Sequence, residues 1–181
     1  MTDAGVPLLQ LSRRVDWRFL LPDPTLGRVT YVGTLPRDLE LALRQFSHQL
    51  IEDRSEPADL VVMVNPSLEI FRTSILAVQR FYVELQRPTW LTCLKQWNLL
   101  DSCLKIAREQ GIEARAYWHY PSFEAANRLL PLSHAAPLMH VVGKGKTDRR
   151  TKLKQHGSAL LLKSGILARC VSSISIVGYR L

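Results

Sequence analysis

Cysteine is scarce in this chain, with three in 181 residues, at 93, 103 and 170, and no C-x-x-C spacing. That pattern excludes a disulfide scaffold and a zinc ribbon, and no metal site is expected. Long apolar runs are also missing. The most apolar stretch, 158–178, is broken by Lys163 and Arg169, too early for a membrane span. The N-terminus carries acids and lacks the apolar core of a secretory signal. A soluble, cytoplasmic protein is the expectation. Acids themselves become rare late in the chain. Residues 140–181 hold one, Asp148, against nine Lys and Arg, whereas residues 1–139 are balanced at 15 of each sign. The formal charge of +8 is therefore local.

Six of those nine cations lie close together: Lys144, Lys146, Arg149, Arg150, Lys152 and Lys154. Such a run suits phosphate, nucleic acid or an anionic lipid surface, and it also reads as a solvated loop-to-helix face. Residues 141–163 contain no Phe, Tyr or Trp, so the stacking platforms of a single-strand binder are absent from it. Gly145-Lys146-Thr147 has a phosphate-binding look, but the earlier glycine of a P-loop would fall on His140.

What is present is an ordinary globular composition, 46% apolar and 22% charged, in a length that suits one domain. Apolar runs at 28–33, 59–64, 80–86, 112–118 and 171–178 predict strands, with a weaker one at 48–52. Helical spacing predicts helices over 35–46, 67–78, 89–110 and 122–130, with Ser67 as an N-cap and Gly111 as a C-cap. The run Asp59–Asn65 has no alternation, as expected of a strand buried on both faces. Strands separated by helices predict an α/β fold: a Rossmann-like three-layer sandwich whose sheet is mostly parallel, with an antiparallel C-terminal strand at or near an edge. The whole of 1–181 is expected to form a single domain, with a loose leader at 1–15 and a basic excursion at 132–157. A core is expected at Val29, Tyr31, Leu39, Leu43, Leu60, Val62, Val64, Phe71, Ile75, Phe81, Val83, Leu94 and Ile112.

This order of segments resembles a class I S-adenosylmethionine-dependent methyltransferase domain in a degenerate or shortened form. Trp17-Arg-Phe-Leu-Leu-Pro22 is similar to the lead-in before the first strand. Gly27–Gly33 is similar to the first strand and its glycine, and Ala58–Pro66 to the fourth strand and its turn. Arg80–Leu85, Gly111–Trp118 and Ser173–Gly178 are similar to the fifth, sixth and antiparallel seventh strands. The resemblance implies cofactor contacts at Gly33, at Glu52 or Asp53, and at Asn65 in the Asn65-Pro66-Ser67 turn. Asn65 and Ser67 also read simply as a strand end and a helix cap. Only one glycine follows the first strand, where the family has two or three, and Asp53 lies five residues from Ala58, where the family places a helix and a third strand.

His119, within Tyr117-Trp-His-Tyr-Pro121 at the end of a predicted strand, is the candidate catalytic residue, as a general base or hydrogen-bond donor. The same aromatics also read as an anchor for the chain that follows. Glu84, between Tyr82 and Gln86 on one strand face, is either a buried carboxylate or an exposed edge residue. The expected function is a degenerate methyltransferase-like accessory or binding module. S-adenosylmethionine binding is expected to be weak or absent, and a protein or a small molecule is the expected partner. The alternatives are an active methyltransferase of a small molecule or glycan-type substrate, and a nucleic-acid-associated protein acting through 143–154.

Overall fold

The structure is a computed structural model that describes residues 7–52, 56–86, 93–134, 171 and 173–180. Helix α1 (Leu8–Arg14) and a 3-10 turn (Asp16–Leu20) precede β1 (Arg28–Val32), α2 (Arg37–Phe46) and β2 (Gln49–Ile51). Then come β3 (Leu60–Val64), α3 (Leu68–Leu76), β4 (Arg80–Gln86) and α4 (Cys93–Glu109). The chain closes with β5 (Glu113–Tyr120), β6 (Arg128–Pro131) and β7 (Ser173–Tyr179). The seven described strands form one sheet in the order β2-β1-β3-β4-β7-β5-β6. β1 to β4 pair in parallel, and β7 runs antiparallel to both β4 and β5.

The sheet is covered on both faces, which makes three layers. α1, the 3-10 turn and α2 pack on one face, around Trp17, Leu39, Leu43, Val62, Tyr82 and Val177. α3 and α4 pack on the other, around Phe71, Ile75, Phe81, Val83, Cys103 and Ile176. β3 feeds both cores: Leu60 and Val62 face one, Val61 and Met63 the other. Ten of the expected core residues are buried, while Tyr31 and Val64 are half-buried at the sheet's exposed end. The Leu94 side chain lies outside the described residues.

Local signals explain where the elements begin and end. Ser67 Oγ accepts the Ile70 N–H at 3.2 Å and caps α3. Gly111, with φ near 68°, ends α4 in the left-handed conformation.

Three expectations need correction. Residues 122–130 are not a helix: a turn leads into β6, which pairs antiparallel with Tyr117–Tyr120. Phe123, Ala126 and Leu130 match a helical stripe, but the backbone of residues 128–131 is taken up instead by pairing with β5. β7 is not at an edge but lies between β4 and β5, where all of Ser173–Gly178 is buried. A Cβ at Gly178 would collide with the Phe81 ring, so the glycine permits that close approach. Residues 8–14, expected in a loose leader, form α1, and its last residue, Arg14, is buried.

Candidate functional site

The carboxyl ends of β1 and β3 lie side by side, and this brings Gly33 and Asn65 together. Gly33 has φ near 92°, and a Cβ there would sit 3.0 Å from the Val64 carbonyl oxygen. Only glycine meets both conditions without strain. Asn65, itself at φ 46°, clamps the ends of β3 and β4. Its N–H donates to the Glu84 carbonyl at 2.9 Å, and its Oδ1 accepts the Gln86 N–H at 2.8 Å.

Glu52 stands apart from this pair. It follows Ile51, which pairs with Thr30, so it comes level with Tyr31 and short of Gly33. Its carboxylate accepts from Arg44 Nη2 at 3.1 Å, and both side chains are exposed. β2 is short for a physical reason. Only residues 52–59 connect it to β3, fewer than the dozen or so that a parallel crossover usually takes, so little chain is left to extend the strand. Asp53 and all six basic candidates, Lys144, Lys146, Arg149, Arg150, Lys152 and Lys154, lie outside the described residues.

His119 lies on β5, beyond β4 and β7 from Asn65, and is 3% exposed. Its Nε2 and the Ser175 hydroxyl share a hydrogen bond of 2.8 Å. Burial, with the nearby Arg14 cation, pushes its pKa down to about 3. The imidazole is therefore neutral at neutral pH, and its ring packs 4.7 Å from that of Phe123. Cys103 is similarly inert, since burial pushes its thiol up to about 12.

Beside His119 lies a charged cluster of which the sequence flagged only Glu84 and the partners sharing its strand face. Glu84 is fully buried. Arg14 grips it with two prongs, Nη1 to Oε1 and Nη2 to Oε2, the second at 2.9 Å, while Arg14 Nε donates to Asp38. The Tyr82 hydroxyl donates to Glu84 Oε1 at 2.9 Å, and Gln86 Nε2 reaches Oε2 at 3.4 Å. Tyr82 stacks on Trp17 with ring centres 3.9 Å apart, and the Arg14 guanidinium lies 5.5 Å from the Phe123 ring centre. Burial, reinforced by the Glu84 charge, holds the Tyr82 phenol well above its ordinary pKa, so it remains a donor. Burial also disfavours the Arg14 cation, but the hydrogen bond and charge of Glu84 outweigh it and raise its pKa.

The alternation of Tyr82, Glu84 and Gln86 was a readable signal for half of this cluster. Nothing local marks Arg14, which is one of two adjacent arginines in an unremarkable leader. Among the described residues, no group of three His, Cys, Asp or Glu side chains is placed to hold a metal. No described helix is long and apolar enough to cross a membrane.

No protein-family model matches this chain, and no curated protein matches it in sequence. Among solved structures, it is similar to the plantazolicin methyltransferase BpumL in complex with a monoazolic desmethylPZN analog and SAH. That match has 8% identity and a TM-score of 0.46, and covers 94% of this chain and 83% of that one. It is also similar to a cyclopropane-fatty-acyl-phospholipid synthase-like protein from Lactobacillus casei, at 12% identity and a TM-score of 0.43, over 93% of this chain and 89% of that one. At these values, function has to be argued from the chain's own side chains.

Proposed function

We infer that this protein is a methyltransferase-like domain working as a binding or accessory module rather than as a catalyst, and that it holds S-adenosylmethionine weakly or not at all. One observation carries the reading: Asn65 Oδ1, the side-chain acceptor that the resemblance assigns to a ligand, is already engaged within the protein. Asn65 Oδ1 accepts the Gln86 N–H, and the Glu52 carboxylate faces Arg44. The eight-residue link from β2 to β3 adds support, because it is too short for a further helix and strand beside the adenine. The described residues therefore offer the cofactor a poor fit.

Forgoing two hydrogen bonds to ribose or charged groups, at about 1.5–3 kcal/mol each, weakens a site by roughly two to four powers of ten. Isothermal titration of the full chain with S-adenosylmethionine should accordingly give no binding tighter than about 1 mM. A low-micromolar dissociation constant, weakened tenfold or more by Glu52→Gln, would replace this reading with that of an active methyltransferase. Glu52 is exposed, so that variant folds and the titration remains informative.

A further inference from the structure

We propose that the buried cluster of Glu84, Tyr82, Trp17 and Phe123 is a guanidinium-recognition site, filled from within the chain by Arg14, and that an arginine side chain of a ligand takes Arg14's place. The geometry is that of a receptor for a planar fork. Both Glu84 oxygens meet separate guanidinium nitrogens, the Tyr82 hydroxyl supports the carboxylate, and the Phe123 ring lies beside the cation. A lysine ammonium is a point donor and cannot satisfy both oxygens in this way.

Two features of α1 suit it to being displaced. Its burial is inverted: Leu8 and Leu9 are 62% and 65% exposed, while Arg14 is its buried residue. Its third leucine, Leu11, packs against the core, so the apolar hold within α1 is confined to that side chain and the ion pair adds to it. α1 also fails to close against the turn between β5 and β6. One groove of about 360 Å³ runs between Leu9, Gln10, Arg13 and Glu124. A second, of about 230 Å³, runs between Asp16 and Asn127, and Arg13 and Ala126 line both. Both grooves lie beside the segment that ends in Arg14, and they carry charges of both signs, Asp16 and Glu124 beside Arg13 and Arg128. Stability alone does not account for the cluster, since well-packed apolar side chains often match or exceed a buried ion pair.

The inference rests on the binding-module reading for its purpose, but its test uses no S-adenosylmethionine, so the two can fail separately. Wild-type protein is titrated with N-acetyl-arginine methylamide and with its neutral citrulline counterpart, following the backbone amide NMR signals of Leu8–Arg14. Saturable shifts with the arginine compound alone are expected. In parallel, Arg14→Ala is melted in millimolar methylguanidinium or methylammonium chloride, far below denaturing concentration. Methylguanidinium should raise the melting temperature saturably, with an apparent affinity at least about tenfold better than methylammonium. If Arg14→Ala does not fold unaided, recovery of folded protein on refolding in methylguanidinium gives the same support, and no recovery counts against the proposal. Equal rescue by both cations overturns it. Rescue of the variant with unmoved α1 signals in the wild type also overturns it, because the cluster is then only a structural ion pair.

Discussion

Taking Arg14 and Glu84 out of water is unfavourable for each, and their mutual attraction is what keeps both charged inside the fold. Removing one partner strands the other. Arg14→Met should therefore destabilise the protein by about 3–5 kcal/mol. The double variant Arg14→Met with Glu84→Gln should recover most of that loss, since no charge is left buried and unpaired. A double-mutant cycle by urea denaturation checks this, and additive single effects would contradict it. His119 supplies a second test at this scale. Its pKa is near 6.5 unfolded and about 3 folded, so between those values the unfolded chain binds a proton that the native one does not. Its contribution is fully present above about pH 6.5 and declines on acidification, at up to about 1.4 kcal/mol per pH unit. Urea midpoints from pH 7 to pH 5, above the main carboxylate range, should fall in the wild type and flatten in His119→Gln.

Among the elements, β7 depends most on fit. It enters the sheet between two strands that run the other way, and Gly178 passes directly over Phe81. Gly178→Ala should destabilise the protein by about 1–3 kcal/mol through overpacking, read from the urea midpoint. Restoration by the pair Gly178→Ala with Phe81→Leu would assign the effect to that contact. β2 shows the opposite constraint, because its length is set by a short connection rather than by its own packing. Asn65 ties the ends of β3 and β4 together through Glu84 and Gln86, so the turn that resembled a cofactor contact also joins these two strands.

At the scale of the molecule, β3 is one of the strands that join the two cores, its alternate residues feeding opposite faces as those of β4 and β7 also do. Val62→Asp should consequently unfold the whole domain, not one layer. An unpaired buried carboxylate costs several kcal/mol against a total of roughly 5–15. Circular dichroism and tryptophan fluorescence should both report loss of structure at 25 °C, and retained melting behaviour would contradict the central place of β3.

Most strand and helix positions, though not α1 or β6, were legible in the sequence, as were the doubly buried run at 59–64, the Ser67 cap and the antiparallel sense of the last strand. They follow from periodicity and from single-residue backbone preferences, both of which act over a few neighbours. The carboxylate at 84 was half-legible, since alternation placed it on a face but could not tell a covered face from an exposed one. The location of β7, the pairing of Glu84 with an arginine 70 residues earlier and the closure of His119 against Ser175 were decided by tertiary structure alone. Each depends on which distant strand becomes a neighbour. That choice follows from burying two faces of one sheet at once, and no local window of sequence contains it.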